Sequence, residues 1–189
     1  MKKPPEDYFL DADDELVDFL EAQGEACIKE LHQSNMINKE NGYKLLSILI
    51  VGIGSSFLLL TQKEHQTFLD AGLTVFTVYW SLCAVYLVLN VLAVKQRGLI
   101  TASPFVLYSE KFKNIDAADF EYFKTNGFCG GCNRLPVIRR YRLETLSTTA
   151  DEMSEHNGKI SLQLTRVRIA TILTPACAIF VSVITYFFS

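Results

Sequence analysis

Residues Ala71–Val94 read AGLTVFTVYWSLCAVYLVLNVLAV, and no position in that run carries a charge. A helix needs roughly 20 mostly apolar residues to cross the hydrocarbon core of a bilayer, so this run is long enough for a full crossing. Two further charge-free windows flank it, Leu45–Thr61 and Ile169–Ser189. The later one also meets the length requirement. The earlier one is at the short end and gains length with Tyr43 and Gln62 at the interfaces. The competing reading is three buried helices of a soluble protein. It fits poorly, because a chain of 189 residues would keep too little amphipathic sequence to cover three such runs. The expected fold class is an all-α integral membrane protein with three transmembrane helices.

The flanks give an expected orientation. Lys44 precedes the first span, Lys63 alone sits in the 61–67 connector, and Lys95 and Arg97 follow the second span. Arg166 and Arg168 precede the third, with Arg139, Arg140 and Arg142 further back. Cytoplasmic loops carry the Lys/Arg excess. The N-terminus and residues 95–168 are therefore expected in the cytosol, with the connector and Ser189 facing outward. The expected location is the inner (plasma) membrane, multi-pass. The first 43 residues have no early apolar stretch, so no signal peptide is expected.

This yields an expected layout of four parts. Residues 1–43 form an acidic cytosolic tail and amphipathic helix. Residues 44–95 form a transmembrane hairpin with spans 44–62 and 68–94. Residues 95–168 form a cytosolic region with an aromatic segment and a long heptad helix that continues into the third span, 169–189.

The two cytosolic parts differ in charge. Residues 1–43 carry four Lys against eleven Asp/Glu, a net of −7. Residues 95–168 carry twelve Lys/Arg against eight Asp/Glu, a net of +4. Opposite signs predict that they dock on each other, the bland alternative being two separately solvated pieces. Pro4-Pro5 mark a tail. Asp13, Asp14 and Glu15 suit a helix start. Val17, Leu20, Gly24, Cys27, Leu31 and Ser34 then trace one helical face, with the helix ending around Gln33 to Asn41 and Gly42 loosening the junction with the first span.

Gly98 and Ser103-Pro104 break the chain after the second span. Residues 105–128 hold Phe105, Tyr108, Phe112, Phe120, Tyr122, Phe123 and Phe128, interleaved with Lys111, Lys113 and Lys124. That pattern fits either a segment lying on the inner leaflet or the core of a small subdomain. Glu110, Asp116, Asp119 and Glu121 in the same stretch argue against nucleic acid as a direct ligand.

Leu143, Leu146, Ala150, Met153, Asn157, Ile160, Leu164 and Val167 alternate at spacings of three and four, a heptad series. A single Asn at an a position, here Asn157, fixes register and oligomer state in coiled coils. Gly158 beside it weakens the helix by about 1 kcal/mol relative to Ala. The register runs on through Thr171, Thr174, Ala178, Val181, Thr185 and Phe188. Ala178 and Ser182 form a small-xxx-small pair for close helix packing in lipid, as do Gly52 and Ser56 in the first span. The Thr face has a second reading, as the lining of a wet path. Pro175 is a candidate kink.

Cys129-Gly-Gly-Cys132 has the spacing of half a zinc site. No second Cys pair follows. His156 is the nearest other candidate, since His32 lies on the N-terminal helix and His65 faces outward. A zinc shared between protomers and a redox pair are alternatives to a plain Gly-rich turn; otherwise no cofactor is expected. Asp70 and Asn90 lie near the two ends of the second span, and no span has an ionisable residue at its middle, which argues against a proton- or ion-coupled transporter. No catalytic constellation is present in the sequence, so a non-enzyme is expected.

One cytosolic helix, two close spans (Lys44–Gln62 and Phe68–Lys95) and a long cytosolic helix (Arg139–Arg168) together resemble the SLATT-type small membrane effectors. The resemblance is one of architecture over residues 14–168, to which the third span is an addition. It implies a bacterial protein of a nucleotide-signalling antiphage system that disrupts or gates the membrane. The leading expectation is a homo-oligomeric membrane effector or pore component, assembled through Gly52, Ser56, Asn157, Thr171, Thr174 and Ala178. The alternative is a membrane-anchored immunity, exclusion or scaffold subunit without a pore, docking a soluble cytosolic protein on residues 1–43.

Overall fold

The computed structural model describes residues 10–62, 68–93 and 103–188. Pro4-Pro5, Lys63, His65, Lys95, Arg97, Gly98 and Ser189 lie outside the described residues. Among those described, every regular element is helical: α1 (Asp14–Thr61), α2 (Phe68–Leu87) with a π-helical continuation (Val88–Leu92), α3 (Pro104–Leu107), α4 (Glu110–Lys113), α5 (Ala117–Thr125) and α6 (Arg134–Phe188). Three of these helices, α1, α2 with its continuation, and α6, are long and apolar enough to cross a membrane. Among the described residues the protein is thus all-helical, with three helices fit by length and composition to cross a membrane.

Local chemistry explains the helix starts. Asp13 Oδ1 accepts from Leu16 N at 2.7 Å, capping α1, and Asp14 and Glu15 occupy its first turn, where negative charge is favoured. Asp116 and Asp119 form a reciprocal capping box on α5, satisfying two donors that a helix start leaves unpaired. Pro104 opens α3, where its missing N–H costs nothing. Asn133 Oδ1 accepts from Leu135 N at 3.2 Å at the start of α6.

Two sequence expectations are corrected here. The first helix does not end between Gln33 and Asn41, and Gly42 does not interrupt it, because α1 runs unbroken to Thr61. Gly42 has a packing role instead: a Cβ there would lie 2.9 Å from Leu92 Cδ2 and 3.3 Å from Val91 Cγ1. The π-helical segment turns the adjacent residues Val91 and Leu92 both inward, since its wider turn shifts the helix face. Pro175 lies inside α6, and the helix continues through it to Phe188.

The chain forms two compact units. The first draws on the chain up to Gln33 and on the segment ending at Glu155. Its core holds Ile28, Leu146 and Met153, with Leu31 and Ala150 beside them. The aromatic segment is partly the core of this unit. Phe112, Ile115 and Phe128 are buried, and the Phe112 ring lies 5.2 Å from that of Tyr141. Phe105, Tyr108 and Tyr122 remain exposed.

The second unit draws on Ser34–Lys95 and His156–Ser189. Its core joins Leu45 and Leu49 of α1, Trp80, Cys83 and Leu87 of α2, Val91 and Leu92 of the π-helical segment, and Ile160, Leu164 and Val167 of α6. Outside it, large apolar side chains such as Ile50, Phe57, Leu82, Ile172 and Phe180 are exposed. Bare apolar surface of this extent suits contact with lipid rather than water.

Candidate functional site

Each unit, taken by itself, contains a seam between α1 and α6. On α6 the eight heptad positions from Leu143 to Val167 all turn inward: seven are buried and Ala150 is half-buried. On α1 the inward positions are Val17, Glu21, Gly24, Ile28, Leu31, Asn35, Asn38, Gly42, Leu45, Leu49, Gly52 and Ser56, all buried or half-buried. Their spacings alternate between four and three, which keeps one helix face on a partner. Val17, Gly24 and Leu31 were expected on this face. Cys27 and Ser34 are exposed and Leu20 is only half-buried; the buried neighbours Glu21 and Ile28, and Asn35, take the inward places.

In the first unit the seam is ionic. Arg139 bonds Glu21 through Nε at 3.0 Å and Nη2 at 2.7 Å, and also bonds Asp18. Arg142 bonds Glu25 and reaches Glu21 Oε1 at 3.5 Å. Arg140, 5% exposed, donates from Nη1 to Asp14 Oδ1 at 3.1 Å and to the Pro136 carbonyl at 3.0 Å, and from Nη2 to the Ala12 carbonyl. Its guanidinium carbon stands 4.7 Å from the Phe128 ring centroid, a stacking that suits arginine. Hydrogen bonding to Glu21, then to Asp18, holds the Arg139 guanidinium above its ordinary pKa against the opposing effect of burial. The docking of acidic on basic segments expected from their net charges is therefore present as named pairs.

The order of partners fixes the helix direction. Asp14 meets Arg140, Glu25 meets Arg142, and a Cβ on Gly24 would lie 3.6 Å from Leu146 Cβ. Both sequences advance together, so α1 and α6 run parallel in this unit. A cavity of about 220 Å³ lies beside Arg140, walled by Phe112, Phe123, Phe128, Tyr141 and Val137, with Lys111 and Glu144 at its edge.

In the second unit α1 and α6 also meet, with Asn35 Nδ2 donating to Asn157 Oδ1 at 2.8 Å. The buried amide that suggested pairing between copies is met inside the chain. The other assembly candidates are also engaged within it. A Cβ on Gly52 would fall 2.1 Å from Trp80 Cζ3. Ser56 Oγ accepts from Thr77 Oγ1 at 2.7 Å. Thr171, Thr174 and Ala178 are buried. A Cβ on Gly72 would fall 2.0 Å from Ser182 Oγ and 2.5 Å from the Ala178 carbonyl oxygen. The small pair Ala178/Ser182 thus receives Gly72, a contact the sequence reading missed. Val181 and Thr185 are only half-buried and Phe188 is exposed, so the inward position after Ala178 is Ser182. Partners Gly42 with Leu92, Gly52 with Trp80, and Phe68 with Tyr186 at 5.2 Å show α2 antiparallel to both long helices in this unit.

The hydroxyls on the α6 face bond back to their own helix. Thr171 Oγ1 bonds the Val167 carbonyl at 2.8 Å, Thr174 Oγ1 the Ala170 carbonyl at 2.7 Å, and Ser182 Oγ the Ala178 carbonyl at 3.0 Å. Such bonding to the preceding turn is how hydroxyls are satisfied inside lipid-embedded helices. Trp80 Nε1 is buried with no partner among the described residues. An apolar groove of about 570 Å³, lined by Leu59, Phe68, Phe76, Pro175 and Ile179 among others, opens on the outside of this unit.

Cys129 and Cys132 are exposed free thiols. Among the described residues no group of three or more His, Cys, Asp or Glu is placed to hold a metal ion. No family model matches this chain, and neither the curated proteins nor the solved structures include a match to it.

Proposed function

We propose that the chain is a plasma-membrane effector that couples an event in its first unit to the bilayer. The proposed topology puts the N-terminus and residues 95–168 in the cytosol, with the chain ending outside. The observation that carries this reading is continuity. Helices α1 and α6 each pass without a break from the ion-paired seam to a segment fit to cross a membrane. A helix transmits rotation or axial shift along its length far better than a loop does. The seam also holds polar and charged groups, such as Glu21, Asn35 and Asn38. A ligand or partner that binds the separated form better would shift the equilibrium toward it. Separation would bare the small and hydroxyl-bearing faces of the spans. Those faces would then be free to pack against further copies, giving a homo-oligomeric, membrane-perturbing state of the kind the SLATT-type resemblance implies for phage defence.

The test is dye release from vesicles carrying the full chain. Wild type should be nearly silent, and Arg139→Glu with Arg142→Glu should leak. Silence of both would refute the coupling.

A second reading has its own support: every hydroxyl named on the α6 face bonds its own helix, and Gly72 and Gly52 close the bundle tightly. On that reading the chain is a membrane anchor without a pore, docking a soluble protein on its acidic N-terminal helix. The exposed acids Asp11, just before α1, and Glu15, in its first turn, would serve as the docking face. A stoichiometric partner that co-purifies with wild type and is lost on Asp11→Asn with Glu15→Gln would favour it.

A further inference from the structure

The run Phe128-Cys129-Gly130-Gly131-Cys132-Asn133 joins the end of α5 to the start of α6. Cys129 Sγ lies 3.4 Å from the Gly127 carbonyl oxygen. The Cys132 sulfur is in hydrogen-bond reach of the Lys124 ammonium, whose pKa it raises. Gly127 N in turn bonds the Lys124 carbonyl at 3.1 Å. Cys129 and Cys132 are thus exposed thiols three positions apart, on either side of Gly130-Gly131.

The same turn holds the beginning of α1. Cys129 N donates to the Leu10 carbonyl at 3.0 Å, and Gly131 N approaches Asp14 Oδ2 at 3.4 Å. Gly130 is wedged where a Cβ would lie 2.6 Å from Phe128 Cζ and 2.8 Å from Arg140 Nη1. The backbone between the two cysteines has little freedom to move without disturbing the Asp14–Arg140 end of the seam.

We propose that Cys129 and Cys132 are a reversible dithiol/disulfide pair, oxidised by a low-molecular-weight disulfide such as glutathione disulfide, that controls how the start of α1 is held. This stands apart from the membrane activity proposed above. The Cys132 thiolate attacks one sulfur of the oxidant; its S–S bond breaks and one thiolate leaves. The Cys129 thiolate then attacks the Cys132 sulfur of the mixed disulfide and expels the second. Two protein thiols lose two electrons and become one disulfide, and the oxidant becomes two thiols, which take up the two protons. Lys124 offers positive charge beside the attacking sulfur, which favours the approach of an anionic disulfide such as oxidised glutathione. Disulfide geometry brings the two Cβ atoms to about 3.5–4.5 Å. Closing that ring draws the sulfurs away from Gly127 and Lys124 and shifts the amides of Cys129 and Gly131. The Leu10 and Asp14 bonds are then weakened. A disulfide that forms in a reducing compartment is typically transient and redox-sensing.

The experiment uses the full chain in nanodiscs, equilibrated with glutathione buffers from fully reduced to fully oxidised, then acid-quenched, alkylated and digested for mass spectrometry. The expected result is a Cys129–Cys132 linked peptide appearing in one two-electron transition, with Cys27, Cys83 and Cys177 unlinked. Cys129→Ser should trap a glutathione adduct on Cys132, and Lys124→Ala should slow linkage severalfold. Amide exchange at residues 12–18 should quicken about fivefold on oxidation, the loss of roughly one hydrogen bond. Cys129 and Cys132 alkylated at every buffer ratio, or each carrying its own adduct, would overturn the proposal. So would linkage that leaves exchange at residues 12–18 unchanged.

Discussion

Asn35 Nδ2 and Asn157 Oδ1 are 2.8 Å apart, bridging 122 residues of sequence. Asn157 is buried and Asn35 half-buried, and a polar group inside a helix seam is tolerated when it has a partner. Replacing either Asn157 or Asn35 alone by Leu removes the bond between them and should cost about 1–3 kcal/mol. Replacing both by Leu removes both desolvation penalties and should be close to neutral or stabilising. Thermal or denaturant unfolding of the four chains in detergent, read as a double-mutant cycle, checks this. Equal costs for the single and double changes would contradict the pairing.

Four glycines inside helices fall into two pairs with opposite expected effects. Gly52→Ala and Gly72→Ala drive a methyl into Trp80 and into Ser182 with the Ala178 backbone, and each should destabilise by about 1–3 kcal/mol. Nothing lies within 4 Å of a Cβ on Gly54 or Gly158. Both sit inside helices, so Ala should stabilise by about 0.5–1 kcal/mol at each. The same unfolding assay ranks all four.

The third prediction concerns Arg140. Its guanidinium serves Asp14 and the carbonyls of Ala12 and Pro136 and covers the Phe128 ring. Arg140→Met keeps the stem but leaves those acceptors without it, and should cost about 3 kcal/mol. Lys113, exposed over the Tyr108 ring, is a control: Lys113→Met should change stability by less than about 1 kcal/mol. Loss of the near-ultraviolet signal of the aromatic core before helix content would place the damage in the first unit.

Hydroxyls that bond only their own helix should be dispensable. Thr171→Val and Thr174→Val keep the side-chain shape and should each change stability by less than about 1 kcal/mol. They should also leave any dye release by the seam-broken chain unaltered at the point of opening. A selective loss of release with intact folding would instead support the wet-path reading of this face.

Much of this architecture is legible in the sequence because it rests on composition over long windows. The three long apolar helical segments follow from charge-free runs, and the α6 face from apolar residues in register. The acid–arginine docking follows from net charge, which survives ignorance of which residues pair. Legibility fails where one residue decides the outcome. Glu21 is charged and Asn35 carries an amide, so a register of apolar and small residues passes to Leu20 and Ser34, although the partners that make burial acceptable lie on α6. Gly72 is one small residue inside a uniformly apolar window, and only the approach of Ala178 and Ser182 gives it a role. The continuity of α1 through Gly42 depends on Val91 and Leu92, whose inward turn needs the π-helical segment that no local pattern announces.

The seam also separates the two functional readings. In the effector reading, the ion pairs hold a resting state, and their pairing rather than their individual charges matters. Vesicle dye release should therefore be measured for four full-length chains. They are wild type, the reversal Arg139→Glu with Arg142→Glu, the reversal Glu21→Arg with Glu25→Arg, and all four changes together. Release from each reversal alone, with near-wild-type silence when both are combined, is the result expected. Equal release from all four chains, or from none, would contradict the claim that the α1–α6 seam governs what this protein does to a membrane.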